Sequence, residues 1–168
     1  SFPTRRSSDL SLSPEFQFPQ QLNELLNLYL GIVEYYKQAE GVSQLKVILM
    51  GDSAGGNMIL GLTNLLAQLD LPMPELLVTV YPPVDLSIDR FSPSLLRSFE
   101  DRLLYFSYLR LCRDAYVGDT VQIEDNWLLS PICAPDSLLK KYPPWHMYCG
   151  ELDPMYDDCL KMAHRLNQ

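Results

Sequence analysis

Apolar residues recur every three or four positions in several stretches of the chain, which is the spacing of one face of an α-helix. The first such stretch covers residues 20–38, and the second covers residues 55–69. Two shorter stretches, 103–116 and 157–166, predict further helices nearer the end of the chain. The side chains expected to point inward from the second helix are Met58, Leu62, Leu65, Leu66 and Leu69.

Three short, nearly continuous apolar runs lie between these helices, at residues 45–50, 76–81 and 145–149. Their length argues against helices, and continuous apolar character is typical of parallel strands that are covered on both faces. Strands that alternate with helices predict an α/β fold with a mostly parallel sheet flanked by helices. Residues 84–127, called the insert from here on, interrupt this alternation.

Composition and charge exclude several classes of protein. The chain has 168 residues, of which 47% are hydrophobic and 20% charged, so it is long enough for one globular domain. Its net charge is −8 and no run of Lys or Arg exceeds two residues, so no nucleic-acid partner is expected. No apolar run approaches the ~20 residues that a membrane-spanning helix needs.

The four cysteines lie at irregular spacings and form no C-x-x-C pair. They are Cys112, Cys133, Cys149 and Cys159. Because few other ligand-type residues accompany them, the sequence predicts reduced, buried thiols rather than a zinc site. We therefore expect neither a metal nor a cofactor.

Residues 1–10 resemble the translation of a sequencing adapter rather than a native segment. We therefore exclude this decapeptide from the predicted fold. We expect the chain to be a fragment in which the residues from Ser11 onwards are native and the true N-terminus is missing. On this interpretation the domain covers residues 11–168.

A G-x-S-x-G motif joins the first predicted strand to the second predicted helix. Its residues and the glycine that follows are Gly51, Asp52, Ser53, Ala54, Gly55 and Gly56. A sharp strand-to-helix turn brings the positions two before and two after the serine together, and we expect only glycine to avoid a Cβ clash there. Such a turn raises the Ser53 hydroxyl above the sheet edge and directs the Ala54 N–H towards a developing oxyanion. The alternative is a phosphate-binding turn with an unused serine.

A serine hydroxyl is a weak nucleophile at neutral pH, so it needs a histidine base that a carboxylate holds in place. Asp153 directly follows the third predicted strand, at the sheet edge where Ser53 is also expected. Spacing alone leaves open that Asp153 is only a turn or helix-cap residue. We do not expect either histidine to be the base, because His146 lies within a strand and His164 on the outside of the last helix.

Three segments of the chain resemble the hormone-sensitive-lipase family of α/β hydrolases, and the eukaryotic hormone-sensitive lipases look nearest. These segments are SLSPE with FP at 11–19, GDSAGGN at 51–57 and GELDPMYD at 150–157. The resemblance implies a partial α/β-hydrolase fold in which the insert forms part of a helical cap. It also implies that Asp153, rather than Asp157 or Asp158, is the acid of a catalytic triad.

The same resemblance implies a serine carboxylester hydrolase that acts on a small-molecule or lipid ester through an acyl-enzyme intermediate. Ser53 is then the nucleophile, and Ala54 contributes to the oxyanion site. The family's H-G-G-G oxyanion motif and its triad histidine are not in this chain, so residues 1–168 alone are expected to be inactive. A cytoplasmic location is expected for the whole protein.

Two other functions stay open at this level. The first is a ligand-binding receptor on the same fold that has lost the triad histidine. The second is an α/β nucleotide-binding protein that uses residues 51–56 as a phosphate turn, although the Lys-Ser/Thr pair of a P-loop is missing.

Overall fold

The computed structural model describes residues 10–39, 45–87 and 90–167, and nine residues of the adapter-like decapeptide lie outside this range. In chain order the helices and strands are α1 (Gln20–Gln38), β1 (Ile48–Asp52), α2 (Ala54–Gln68), β2 (Leu76–Val80), α3 (Pro93–Leu96), α4 (Phe106–Val117), α5 (Asp136–Leu139), β3 (Trp145–Tyr148) and α6 (Tyr156–Leu166). Short 3-10 turns follow α3 at Arg97–Phe99 and precede α5 at Pro131–Cys133.

The described strands form one parallel sheet in the order β1-β2-β3. Asp52 at the end of β1 pairs with Val80 at the end of β2, and Val80 pairs in turn with Tyr148 at the end of β3. All three strands therefore end at the same edge of the sheet. The prediction of an α/β fold with a parallel sheet and flanking helices is confirmed.

Strand β1 differs from its predicted limits of 45–50. It starts at Ile48 and continues through Gly51 and Asp52, because the ladder with β2 continues past the glycine to Val80. Just before the strand, the carbonyl oxygen of Val47 accepts the N–H of Glu75 at 2.7 Å. Its start and end thus follow from pairing with β2 rather than from its own apolar run.

Helices α1, α2 and α6 pack on one face of the sheet. A buried cluster joins Leu60 of α2, Leu77 of β2 and Met162 of α6 beneath it. On the opposite face, Ile48 is 53% exposed and Met50 is 71% exposed. The expectation that the first strand is covered on both faces is therefore wrong for the described residues, because β1 alternates between exposed and half-buried side chains.

Two further sequence predictions need correction. Leu69 was expected to point inward, but α2 ends at Gln68 and Leu69 is 52% exposed. The insert helix α4 begins later than residue 103, because the Asp101 carboxylate accepts the N–H groups of Leu103 and Leu104, each at 2.7 Å, and holds them in a turn. The other predicted helices and strands match the structure to within one or two residues.

The four cysteines are free thiols, as expected, but only Cys159 is buried. Cys112 is exposed on α4, and Cys133 and Cys149 are half-buried, so the prediction of buried thiols is wrong for these three. No helix among the described residues is long and apolar enough to cross a membrane.

Hydrogen bonds join the start of the insert to the segment that follows it. The N–H of Ile132 donates to the carbonyl oxygen of Val84 at 2.9 Å, and the N–H of Leu86 donates to Ser130 Oγ at 2.9 Å. Helix α2 adds a third link through Asn57, whose side chain is 3% exposed. Its Nδ2 donates to the carbonyl oxygens of Pro83 and Leu129, each at 2.8 Å, and so holds the residues just before and just after the insert against α2.

We predict that Asn57→Ala lowers the free energy of unfolding by about 2 kcal/mol, because it leaves the buried carbonyl oxygen of Leu129 and the half-buried one of Pro83 without this donor. Denaturant titration measures the loss. The matched control is Asn167→Ala, which removes a similar Nδ2 bond to Ala163 at an exposed position and should change stability by less than about 0.5 kcal/mol. Equal effects of the two substitutions would contradict the role given to Asn57.

Candidate active site

The carboxyl ends of the three strands bring the sequence-predicted site residues to one edge of the sheet. Beyond the strand ladder, the N–H of Ser53 donates to the carbonyl oxygen of Val80 at 2.9 Å. The N–H of Tyr81 donates to the carbonyl oxygen of Tyr148 at 2.5 Å. Adjacent strands lie about 4.8 Å apart, so the ends of β1 and β3 are separated by about 10 Å. Ser53 and the loop that carries Asp153 therefore share this edge without direct contact.

Ser53 adopts a strained backbone conformation between β1 and α2. Its φ is 49° and its ψ is −125°, a combination that residues with a Cβ rarely adopt. Although Ser53 occupies the N-cap position of α2, its side chain accepts no hydrogen bond from the first turn of that helix. Since the residue is also exposed, its hydroxyl is available to a ligand or substrate.

The glycines around Ser53 differ in whether their surroundings leave room for a side chain. A Cβ on Gly51 would lie 2.5 Å from the carbonyl oxygen of Gly55, so this position needs glycine as the motif predicts. A Cβ on Gly55 would meet nothing within 4 Å, so the expectation of a clash at both positions is wrong for Gly55. The backbone carbonyl of Gly55 lies in the space that a side chain at residue 51 would occupy. A side chain is therefore excluded at Gly51 but not at Gly55.

Gly56 and Tyr81 mark a second close approach at this edge. A Cβ on Gly56 would lie 2.9 Å from Cβ of Pro82, which shows how closely α2 passes the end of β2. Immediately before that proline, Tyr81 has a φ of 41°, an uncommon value for a bulky residue. Tyr81 is exposed and directly follows β2, the strand that lies between β1 and β3.

The start of α2 supplies donors beside the serine. Backbone N–H groups in the first turn of a helix have no acceptor within the helix, and here they belong to Ala54, Gly55 and Gly56. The next N–H, that of Asn57, donates to the carbonyl oxygen of Ser53 at 3.1 Å. The free N–H groups and the helix dipole favour negative charge next to Ser53. Ala54 directly follows the serine and is exposed, as an oxyanion donor must be.

Asp153 lies in a hydrogen-bonded turn between β3 and α6. Its N–H donates to the carbonyl oxygen of Gly150 at 3.0 Å, and its own carbonyl oxygen accepts the N–H of Tyr156 at 3.1 Å. Its side-chain Oδ1 accepts the N–H of Met155 at 2.8 Å. The side chain thus has the turn-forming role that spacing left open, while its second carboxylate oxygen makes no hydrogen bond within the described chain.

Burial raises the pKa of Asp153 above its usual value. The N–H of Met155 opposes this effect by stabilising the carboxylate, and the negative charge of Asp101 in the insert adds to it. A carboxylate that is only half solvated and bonded to one backbone donor keeps acceptor capacity for a further partner, such as an imidazole N–H.

Neither histidine of the chain completes a catalytic constellation with these residues. His146 lies in the middle of β3 and His164 on α6, and both side chains are exposed. Within the described residues neither forms a hydrogen bond with Ser53 or Asp153.

No group of three His, Cys, Asp or Glu side chains is arranged as metal ligands in the part of the chain that the structure describes. A cavity lined by Tyr142 and Trp145 lies at the opposite, amino end of β3.

Some residues at this edge could not be identified from the sequence. The strained φ of Tyr81 has no sequence signal, since the residue before a proline is expected to be extended. Asn57 stands in the segment that resembles the lipase family, but its bonds reach residues 26 and 72 positions away. The available hint was a polar residue on the buried face of a mostly apolar helix.

A protein-family model described as the alpha/beta hydrolase fold matches residues 6–168 of the chain. The chain therefore belongs to this family, as the resemblance of residues 51–57 and 150–157 to α/β hydrolases had led us to expect.

Among individual proteins, hormone-sensitive lipase of Mus musculus is 34% identical over 121 residues, which are 72% of this chain. Ethyl acetate hydrolase of Pseudomonas putida is 31% identical over 160 residues, or 94% of this chain. The chain covers only part of each relative, namely 15% of the mouse protein and 48% of the bacterial one. The expected resemblance to hormone-sensitive lipases is thus confirmed, and bacterial esterases resemble the chain over a greater length.

Solved structures give the same result. Carboxyl esterase 2 of the fungus Tuber melanosporum superposes with a TM-score of 0.85 at 23% identity and covers 95% of this chain, which shows the shared fold. A hormone-sensitive lipase from a metagenome library superposes with a TM-score of 0.78 at 28% identity. The chain spans about half of each of these structures, 50% of the first and 51% of the second.

We predict that Gly51→Ala lowers the free energy of unfolding by about 1–3 kcal/mol, because the new methyl group would overlap the backbone of Gly55. Gly55→Ala is the matched control. Its methyl group enters open space in a helix, so stability should be unchanged or rise by up to about 1 kcal/mol. Thermal or denaturant unfolding of both variants tests the asymmetry, and the opposite order of stabilities would contradict the described turn.

Proposed function

We propose that the protein is a serine carboxylester hydrolase, a lipase or esterase that acts through a Ser-Asp-His triad. The observation that carries the proposal is the Ser53 hydroxyl, held on a strained turn with no competing hydrogen bond, at the same sheet edge as Asp153. Membership of the alpha/beta hydrolase family and similarity to a lipase and an ethyl acetate hydrolase support a carboxylic ester as the substrate.

In the proposed reaction, Ser53 Oγ attacks the ester carbonyl carbon while a histidine accepts the hydroxyl proton. The carbonyl oxygen becomes an oxyanion that the Ala54 N–H stabilises, together with glycine N–H groups from an upstream H-G-G-G segment. The histidine then gives the proton to the departing alcohol, and an acyl group remains on Ser53. Water, activated by the same histidine, releases the carboxylic acid and restores the serine.

We place the base and the H-G-G-G segment outside residues 1–168, since neither His146 nor His164 lies at the sheet edge. The ends of β1 and β3 lie two strand spacings apart, about 10 Å, which leaves room for a histidine ring between the two loops. One imidazole ring with a hydrogen bond of about 2.8 Å on each side fits between a serine and a carboxylate across such a gap. Asp153 would accept the imidazole Nδ1–H and stabilise the imidazolium.

The insert is the candidate for the part of the protein that contacts the acyl or alcohol group of the substrate. Its rings of Phe91, Phe99 and Phe106 form a cluster with centroids 4.8–6.0 Å apart. Phe91 and Phe99 are half exposed or more, so the cluster presents an apolar surface. This surface supports an ester with an apolar moiety, whether a small molecule or a lipid.

We predict that a fluorophosphonate probe labels Ser53 in the protein expressed from its complete reading frame. Ser53→Ala should abolish labelling and lower ester hydrolysis by a factor of about 10⁶. Ser137→Ala, an exposed serine on α5, is the matched control and should leave both unchanged. A folded protein with no labelled serine would overturn the proposal and favour a ligand-binding receptor on the same fold.

We predict that Asp153→Asn lowers kcat by about 10⁴-fold and stabilises the protein at neutral pH. Because burial raises the pKa of Asp153 in the folded state, the native protein binds this proton more tightly than the unfolded chain does. The parent therefore loses stability as pH rises from about 3.9 through the folded-state pKa. Asparagine avoids that loss and still accepts the Met155 N–H.

Denaturant titrations at several pH values measure this effect. The two proteins should have similar stability at about pH 3, and the advantage of Asp153→Asn should appear above about pH 4 and then level off. Asp119→Asn removes an exposed carboxylate of the insert. It is the control for the effect that losing one negative charge has on the rate of ester hydrolysis. Full activity in Asp153→Asn would remove the aspartate from the proposed triad.

A further inference from the structure

A short helix of the insert exchanges hydrogen bonds with the segment that follows Asp153. The N–H of Ser94 lies in the first turn of α3, where the helix itself offers no acceptor, and it donates to Asp157 Oδ2 at 2.7 Å. The N–H of Asp157 lies in the first turn of α6 and donates to Ser94 Oγ at 3.1 Å. Each residue therefore supplies the missing partner of the other's backbone N–H.

The Ser94 hydroxyl also holds the peptide next to Asp153. Its Oγ donates to the carbonyl oxygen of Pro154 at 2.9 Å, and Pro154 directly follows the aspartate. Ser94 is 3% exposed and Pro154 is buried, so solvent does not compete for the bond between them. Buried hydrogen bonds of this kind are costly to leave unmade, which fixes the relative position of α3 and the aspartate loop.

A second contact holds the loop on the other side of Asp153. Arg97, in the 3-10 turn that follows α3, donates from Nη1 to the carbonyl oxygen of Glu151 at 2.7 Å. Glu151 and Pro154 flank the aspartate, so residues 94–97 of the insert contact its loop on both sides. The Asp153 backbone is thus supported by a segment that lies about 60 positions earlier in the sequence.

We propose that Ser94 and Asp157 are positioning residues that orient Asp153 for catalysis, so that the insert sets the geometry of the triad as well as contacting substrate. This inference rests on the proposed function, because Asp153 is taken as the triad acid. Ser94 and Asp157 act through the Asp153 loop and not on the substrate. Loss of the link should therefore impair turnover more than substrate binding.

Steady-state kinetics of the complete protein with a chromogenic ester tests this role. Ser94→Ala and Asp157→Ala should each lower kcat about tenfold or more, since small displacements of a catalytic group have large effects, while KM changes less than about twofold. The double variant should lose less than the product of the two single losses, because the substitutions remove different hydrogen bonds of one contact between α3 and the start of α6. Asp157→Asn keeps an oxygen acceptor for the Ser94 N–H and should restore most of the turnover.

Ser98→Ala is the matched control. Ser98 is another fully buried serine of the insert, but its Oγ donates to the carbonyl oxygen of Leu95 and does not contact the aspartate loop. Its loss should lower stability without lowering kcat. If Ser94→Ala does not fold, Arg97→Ala tests the same loop from an exposed side chain and should lower kcat to a smaller extent.

The outcomes separate this inference from the proposed function. If Ser53→Ala and Asp153→Asn retain hydrolysis, the triad itself is wrong. If both abolish hydrolysis while Ser94→Ala matches Ser98→Ala in kcat, the triad stands and the positioning role is overturned. Additive losses in the double variant, or no recovery in Asp157→Asn, would likewise overturn it.

Discussion

The parallel register of three strands is the constraint on which the candidate site depends. Because β1, β2 and β3 run in the same direction, residues 100 positions apart in the chain leave the sheet at one edge. Two backbone hydrogen bonds, from Ser53 to Val80 and from Tyr81 to Tyr148, continue the pairing beyond the last ladder positions. A shift of one residue in either pairing would move the serine or the aspartate loop by about 3.3 Å and turn its side chain to the other face.

Local patterns in the sequence were enough to predict most of the fold. The period of apolar residues identified α1, α2 and α6, and the short apolar runs identified the strands, because these signals arise from neighbours within one turn or one strand. The limits of β1 were wrong because they depend on its partner: Gly51 and Asp52 are poor strand formers by themselves, yet they pair with β2. The burial of its two faces depends likewise on which elements pack there.

The candidate site was predictable to the extent that its chemistry is local. The need for glycine at Gly51 follows from the strand-to-helix turn, and the position of Asp153 follows from the end of a strand. The bonds of Asn57 and Ser94 were not predictable, because their partners lie 26–72 positions away and no repeating pattern connects them. Buried polar residues of this kind reveal their partners only in three dimensions.

The backbone angles of Ser53 have a consequence for how such proteins diverge. A residue with a side chain in this conformation carries a conformational penalty of about 1–3 kcal/mol, and glycine would relieve most of it. The proposed function explains why serine stands there, because a nucleophile needs the hydroxyl even though glycine would make the protein more stable. On the proposed function, a descendant that no longer needs a nucleophile is free to accept glycine at residue 53, so glycine at this position in a related gene would mark the loss of that chemistry.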